Sequence, residues 1–174
     1  MSHTPDTVTR LLAARTQLPS PALIERDRPV AYAAIEQEAK RVAAGFASLG
    51  LGRGDRIAIW LPNVPAWLAC FFACAQLGAI AVSVNTRFRS HEVADIVGRS
   101  GARLLVFWPG FKGIDFAGIL AACDPVALQH LETVVAYSED CASPPCAFVG
   151  KPCIDYAALT TRAPLEQDYS HAGD

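Results

Sequence analysis

The sequence has little charge and no excess of either sign. Only 18% of its 174 residues are Asp, Glu, Lys or Arg, and the formal net charge is −2. Because the basic residues are scattered and balanced by acids, the composition argues against a nucleic-acid-binding protein. The first residues lack the basic region and apolar run of a signal peptide, so none is expected. With 52% hydrophobic residues, the chain is long enough to bury a core as one domain.

The six cysteines lack the CxxC spacing of a metal site or redox motif. Cys70 and Cys74 lie in an apolar helical pattern, where a thiol behaves as a small hydrophobic group. Cys141, Cys146 and Cys153 lie in a Pro-rich segment without a nearby histidine. We therefore expect unpaired thiols in a reducing compartment, by default the cytoplasm, with a zinc site as the open alternative.

No catalytic or metal-binding motif can be recognised. GxSxG and HExxH are absent, and the chain offers no His–carboxylate pair of recognisable spacing. The histidines stand alone: His3, His91, His130 and His171. We therefore predict no catalytic residue and no metal ligand within this chain.

The glycine-rich segment Gly50–Asp55 looks superficially like a phosphate-binding loop. Such loops follow a strand and open a helix, so that backbone N–H groups at the helix N-terminus face the phosphates. Here the glycines follow a helical pattern and precede a strand pattern. We interpret the segment as a tight helix-to-strand turn that uses the conformational freedom of glycine.

A long stretch without charge, Ile57–Thr86, could be mistaken for a membrane span. A span needs about 20 apolar residues in one uninterrupted helix. Pro65 and Gly78 interrupt this stretch. We therefore predict a buried helix over Ala66–Leu77 and a buried parallel strand over Ile80–Val84, with the membrane span as the open alternative.

Alternating helical and strand patterns predict an α/β fold. A β-hairpin is expected where residues 22–25 and 29–32 flank a short turn. Helices are expected over Ala33–Leu49, Ser90–Arg99, Ile114–Cys123 and Ile154–Leu159, strands over Arg56–Leu61, Arg103–Phe107 and Thr133–Ala136, and a loop over Ser138–Pro152. Strands separated by helices imply a mostly parallel sheet with helices on both faces.

Local signals refine this picture. Ser90 is predicted to cap its helix, Glu36 is placed to pair with Lys40, and Asp95 is placed to pair with Arg99. For the domain organisation we expect an arm and helix over residues 1–20, an α/β subdomain over 21–160, and a polar, unpatterned linker over 161–174.

A short basic loop, Asn85–Arg89, follows the strand predicted over Ile80–Val84. In open α/β sheets, ligands bind at the carboxyl ends of the strands. Guanidinium groups there can bind a phosphate through two hydrogen bonds. The alternative is that these arginines are solvated or paired with Glu92 and Asp95.

Several segments together carry a family resemblance. They are Val30–Ile35, Gly54–Ala58, Leu61–Asn63, Leu77–Asn85 and Ser100–Val106. In combination they resemble the N-terminal region of the adenylate-forming acyl-CoA synthetases, which are AMP-binding ligases, over about Pro21–Val135. The chain departs from the family pattern at Ala31 and Ala34, where Thr and Glu are usual, and at Ser83, where proline is usual.

The resemblance implies the N-terminal subdomain of a fatty-acid or aryl-acid CoA ligase. Such enzymes convert Mg-ATP and a carboxylate into an acyl-adenylate and pyrophosphate, and the thiol of coenzyme A then displaces AMP. The family's phosphate loop, TSGTTGxPKG, is absent before Asp174. ATP, Mg²⁺ and coenzyme A are therefore implied for a longer enzyme, and we expect this chain alone to bind none of them and to be inactive.

The resemblance also suggests partners and one site residue. The expected partners are later subdomains, a mobile C-terminal domain, a small carboxylic acid and possible further copies of the chain. Arg87 aligns with the basic residue after the family's asparagine, which makes it the candidate contact for a phosphate of coenzyme A. The competing hypothesis is a non-catalytic α/β module that binds a partner or small ligand at its sheet edge.

Overall fold

The computed structural model describes residues 7–139 and 144–170. The helices are α1 (Val8–Arg15), α2 (Tyr32–Ser48), α3 (Pro65–Leu77), α4 (Ser90–Ser100), α5 (Phe116–Ala121) and α6 (Tyr156–Thr160). The strands are β1 (Leu23–Glu25), β2 (Arg28–Val30), β3 (Arg56–Trp60), β4 (Ile80–Ser83), β5 (Leu104–Phe107), β6 (Gly110–Phe111), β7 (Ile114–Asp115), β8 (Thr133–Ala136), β9 (Ala147–Phe148) and β10 (Lys151–Asp155).

The chain divides into two compact units. The helical unit comprises the residues up to Gly54, then Asn63–Ile80 and the residues from Thr160 onward. The sheet unit comprises Asp55–Pro62 and Ala81–Leu159.

The helical unit begins with the predicted hairpin. Strands β1 and β2 pair antiparallel, with Leu23 opposite Val30. Arg26 and Asp27 form the connection, and both have positive φ angles, of 47° and 65°. Two consecutive left-handed residues are the geometry whose twist matches that of the flanking strands. The hairpin prediction is confirmed.

Helix α2 packs on α3, and α1 contacts both. The apolar face of α2 is buried at the predicted helical spacing by Ile35, Val42 and Phe46. Glu36 and Lys40 form the predicted ion pair, at 3.7 Å. Helix α3 is apolar on all sides, which is typical of a helix inside a protein core.

Proline and glycine define the ends of α3. Pro65 occupies its first turn, and Gly78 ends it with a left-handed φ of 67°. The buried helix predicted here is therefore confirmed. In the part of the chain that the structure describes, no helix is long and apolar enough to cross a membrane.

A segment that the sequence left unpatterned, residues 164–170, docks on these helices and is called the strap below. The side-chain amide of Gln76 donates hydrogen bonds to the carbonyls of Leu165 and Gln167, at 2.6 and 3.1 Å. The backbone N–H of Tyr169 donates to the carbonyl of Gln76 at 2.7 Å, and that of Leu165 donates to the carbonyl of Lys40 at 3.0 Å.

The sheet unit contains a six-stranded sheet in the order β4-β3-β5-β8-β10-β9. Strands β3, β5, β8 and β10 run parallel, and β9 is antiparallel to β10. The side chains of Ile57–Trp60 and Leu104–Phe107 are buried on both faces of the sheet. Burial on both faces is typical of a parallel sheet in an α/β protein. The predicted fold class, α/β with a mostly parallel sheet, is confirmed.

Three predictions about the second half of the chain are wrong. The helix predicted over Ile114–Cys123 begins only at Phe116, because Ile114 and Asp115 pair with Gly110–Phe111 as a small hairpin. The loop predicted over Ser138–Pro152 contains β9 and the start of β10. Because β10 runs to Asp155, the helix predicted from Ile154 begins at Tyr156.

The strand predicted over Ile80–Val84 forms, but it is not buried throughout. Strand β4 lies at the edge of the sheet, and Ile80 at its start is 48% exposed. The apolar composition of this segment led to the prediction of burial. The sequence alone does not show whether a strand lies in the middle of a sheet or at its edge.

Candidate functional site

The carboxyl ends of the parallel strands meet at one edge of the sheet, and the basic loop Asn85–Arg89 follows β4 there. Two hydrogen bonds tie the start of this loop to the neighbouring strand β3. The Val84 N–H donates to the Ile59 carbonyl at 3.0 Å, and the Trp60 indole N–H donates to the Asn85 carbonyl at 3.2 Å. Because Trp60 is fully buried, the loop begins from a fixed point.

The loop is then shaped by its own side chains. The Asn85 side-chain oxygen accepts from the Arg87 N–H at 2.9 Å, and the Phe88 N–H donates to the Asn85 carbonyl at 3.0 Å. An asparagine side chain that accepts a hydrogen bond from the backbone N–H two residues later is a common way to stabilise a turn. The Arg89 guanidinium donates to the carbonyls of Arg87 and Phe88, at 3.1 and 3.2 Å. Arg89 is therefore engaged by its own loop.

The acidic residues of α4 are also engaged locally. Glu92 accepts a hydrogen bond from the Arg89 backbone N–H at 3.0 Å, and this bond lowers the pKa of the Glu92 carboxyl. Asp95 pairs with Arg99 at 3.4 Å, as predicted. The helix cap is Arg89 rather than Ser90, because Ser90 is already the first helical residue. The prediction that Ser90 caps α4 is wrong.

Arg87 differs from Arg89 in that its guanidinium makes no hydrogen bond within the loop. Its residue is exposed, and within residues 7–139 and 144–170 its guanidinium makes no ion pair with Glu92, Asp95 or another acid. Of the two forms of the alternative, the structure thus shows Arg87 solvated rather than paired with acids of the next helix. Its role toward a ligand stays a prediction.

Aromatic side chains line the same edge, and the sequence reading did not single them out. Trp108 follows β5, Tyr137 follows β8 and Tyr156 follows β10. The ring centroids of Trp108 and Tyr137 are 5.1 Å apart, and those of Tyr137 and Tyr156 are 5.2 Å apart, both edge-to-face. An aromatic residue directly after β5, β8 and β10 was the available signal, but it needed β10 to be recognised as a strand.

Neither a cluster of three metal ligands nor a phosphate-binding loop at Gly50–Asp55 forms in the part of the chain that the structure describes. Over residues 7–139 and 144–170, no three His, Cys, Asp or Glu side chains are grouped to hold a metal ion. The Gly50–Asp55 segment is the predicted helix-to-strand turn, with φ angles of 77° at Gly50 and 80° at Gly54. His91 and His130 are exposed, while His3 and His171 lie outside the described residues.

A mostly parallel sheet with helices defines the class of the domain as open α/β, in which ligands generally bind at the carboxyl ends of the strands. The particular family follows from comparison with known proteins. The AMP-binding enzyme family matches residues 12–164, and the chain belongs to it.

The relatives it resembles are CoA ligases. The chain is 33% identical over 155 residues to a 3-[(3aS,4S,7aS)-7a-methyl-1,5-dioxo-octahydro-1H-inden-4-yl]propanoyl:CoA ligase of Mycobacterium tuberculosis, covering 88% of this chain and 31% of the relative. It is 33% identical over 103 residues to the mitochondrial medium-chain acyl-CoA ligase ACSF2 of Homo sapiens, covering 59% of this chain and 17% of the relative. The chain therefore spans less than a third of the length of these relatives.

Solved structures show the same fold. The anthranilate CoA ligase AuaEII in complex with anthranoyl-AMP matches with a TM-score of 0.77 at 21% identity, covering 94% of this chain and 30% of that one. The acetoacetyl-CoA synthetase from Streptomyces lividans matches with a TM-score of 0.78 at 24% identity, covering 94% and 26%. The fold class predicted from the sequence, the N-terminal region of an acyl-CoA ligase, is confirmed.

Proposed function

We propose that this chain is the N-terminal part of an ATP-dependent carboxylic acid–CoA ligase that acts through an acyl-adenylate, with a fatty or aryl acid as its substrate. The observation that carries the proposal is the family match over residues 12–164, together with a CoA ligase that is 33% identical over 88% of the chain. The proposed compartment is the cytoplasm, since buried thiols such as Cys70 and Cys74 are typical of proteins kept reduced.

The chemistry explains why such an enzyme needs ATP. A carboxylate is a poor acyl donor, and transfer to AMP replaces an oxide leaving group by a far better one. The charge that develops on pyrophosphate needs Mg²⁺ and phosphate-binding N–H groups. The described residues offer neither ligand set, so these parts would come from elsewhere in a longer protein. This chain would contribute scaffold and, at Arg87, a contact to a phosphate of coenzyme A.

The test is acid-dependent exchange between pyrophosphate and ATP. We expect the purified 174-residue chain to show none with any fatty or aryl acid. We expect exchange, followed by thioester formation with coenzyme A, from a protein in which the chain is joined to the later subdomains of its own reading frame. Exchange by the 174-residue chain alone would contradict the proposed inactivity. A joined protein that binds the acid but never forms an adenylate would instead support the non-catalytic module.

A further inference from the structure

Two cysteines face each other across the β9–β10 hairpin. The register places Phe148 opposite Lys151 and Ala147 opposite Pro152. The Cys153 N–H donates to the Cys146 carbonyl at 2.9 Å, so the antiparallel pairing continues to these two residues. Directly opposite residues of an antiparallel pair carry their side chains on the same face. The two thiols are therefore cross-strand neighbours.

Their separation suits a disulfide. Opposite residues joined by ladder hydrogen bonds have Cα atoms about 5.5 Å apart, and disulfides span Cα distances of about 4.4–6.8 Å. The turn residues Val149 and Gly150 have left-handed φ angles of 47° and 73°, which fixes the register of the two-residue hairpin. A bond between the two sulfurs keeps the strand pairing, but it draws the Cβ atoms from about 4.5–5.5 Å, typical of opposite residues, to about 3.5–4.5 Å.

Among the cysteines that the structure describes, which exclude Cys141, this pair is also the most accessible. Cys146 is exposed and Cys153 is partly buried, whereas Cys70, Cys74 and Cys123 are buried. Burial raises the pKa of Cys74 to about 12 and that of Cys153 to about 11. Because the thiolate is the reactive form, exposure makes Cys146 the first of the pair to react with a dissolved reagent.

We propose that Cys146 and Cys153 are an oxidation site, at which a low-molecular-weight disulfide such as oxidised glutathione converts two thiols into a cross-strand disulfide. The Cys146 thiolate attacks one sulfur of the reagent, forms a mixed disulfide and expels one glutathione thiolate. Cys153 then loses its proton to water, attacks the Cys146 sulfur and expels the second glutathione. Two protein thiols are oxidised, and one small disulfide is reduced to two thiols.

The bond would lock the outer edge of the sheet. Strand β10 pairs with β8 and leads directly to Tyr156 in the aromatic row at the carboxyl edge. Oxidation would therefore stabilise this side of the sheet unit without touching the Asn85–Arg89 loop. The inference depends only on the hairpin and stands apart from the proposed ligase activity.

Peptide mapping by mass spectrometry tests the site. The 174-residue chain is incubated with oxidised glutathione, and remaining thiols are then blocked with N-ethylmaleimide. We expect the protein to lose two hydrogen atoms in mass and to yield one linked peptide pair containing Cys146 and Cys153. Cys141→Ser is the matched control, because it removes a nearby cysteine outside the pair, and it should give the same link. In Cys153→Ser, Cys146 should carry glutathione instead.

Two outcomes would overturn the proposal. One is an unsubstituted chain in which Cys146 is recovered only as a mixed disulfide with glutathione, or linked to a cysteine other than Cys153. The other is a link that forms only when Cys70 and Cys74 also become open to N-ethylmaleimide, because that would mean that it forms in the unfolded chain. In the folded chain these two buried thiols should stay unlabelled until denaturant is added.

Discussion

Arg87 differs from Arg89 in what its guanidinium contacts. Both side chains are exposed, but the Arg89 guanidinium donates to two carbonyls of its own loop, whereas that of Arg87 has no acidic partner among the described residues. The Arg87 backbone N–H is fixed by Asn85, and a guanidinium without an acidic partner is suited to an anionic ligand. This contrast is the residue-level support for assigning Arg87 rather than Arg89 to coenzyme A.

Arg87→Ala should therefore impair the second half-reaction of the proposed longer enzyme. A charge-assisted hydrogen bond contributes about 1.5–3 kcal/mol, so we expect the KM for coenzyme A to rise roughly ten- to a hundredfold. Adenylation should hardly change, because coenzyme A does not take part in it. Arg99→Ala is the matched control, since Arg99 pairs with Asp95 on the exposed face of α4. Slower adenylation with an unchanged KM for coenzyme A would make Arg87 a structural residue.

Arg103 joins the amino ends of three parallel strands. Its guanidinium contacts Asp55, just before β3, at 2.8 Å, and Glu132, just before β8, through two hydrogen bonds at 2.8 and 2.9 Å. The hydrogen bonds from Arg103 lower the pKa of Glu132. The carboxylates are partly exposed, so solvent screens the network and limits its contribution.

We expect Arg103→Ala to lower the free energy of unfolding by about 1 kcal/mol near neutral pH. Because the folded pKa of Glu132 lies below its ordinary value of 4.5, this contribution is complete above that value and is lost as the pH falls through the folded pKa. Urea unfolding of both proteins should thus give curves that converge in acid. Arg99→Ala, with a more exposed pair, should change stability less. A gap that widens in acid would contradict the assignment.

Among the elements, the strap is held by polar contacts rather than by an apolar face. Gln76 is only 6% exposed, and its side-chain amide donates hydrogen bonds to two backbone carbonyls of the strap. Thr9 of α1 adds a hydrogen bond to Asp168 at 2.8 Å, and Lys40 of α2 lies 3.2 Å from Glu166. Contacts of this kind fix backbone position without leaving a hydrophobic pattern in the sequence.

Gln76→Leu should loosen the strap while leaving the helices folded. Two carbonyls would lose their donor, and each such loss costs about 1–3 kcal/mol when the group stays buried. Amide hydrogen exchange at Leu165 and Tyr169 should therefore accelerate roughly ten- to a hundredfold. Gln37→Leu, at an exposed position of α2, is the matched control and should leave both amides protected. Equal protection in the two variants would show that Gln76 does not hold the strap.

Strand β4 is one of the two edge strands of the six-stranded sheet, and an edge strand can pair with another copy of the chain. The strand is apolar. Natural proteins usually protect an apolar edge strand with charged residues, proline or a covering segment, because its unpaired backbone groups can pair with another chain. We propose that the 174-residue chain self-associates through this edge. Ile80→Lys should shift the species seen in sedimentation velocity toward the monomer. Val126→Lys, at a 68% exposed apolar residue off the strand edges, should not. A monomer at high concentration before any substitution would contradict the proposal.

Across the whole molecule, the sequence predicted those elements whose burial leaves a periodic pattern. The spacing of Ile35, Val42 and Phe46 indicated α2, and apolar runs indicated β3 and β5. Strand β10 was missed because a proline argues against a strand, and Pro152 lies within this one. The parallel pairing of β10 with β8 begins only at Cys153, so Pro152 lies outside that pairing. The loop carrying Arg87 was predicted, but its hydrogen bonds depend on geometry that spacing does not contain.

The strap also affects how the chain folds as it is synthesised. Thr9 and Asp168 are hydrogen-bonded across 159 residues, so one partner is made long before the other. A ribosome adds about 5–20 residues per second, so roughly 5–18 s pass between synthesis of Gln76 and of Leu165. During this interval the face of α1, α2 and α3 that receives the strap stays open to water, chaperones and other nascent chains. Of the two units, the helical unit therefore contains both the residues synthesised before the sheet unit and those synthesised after it.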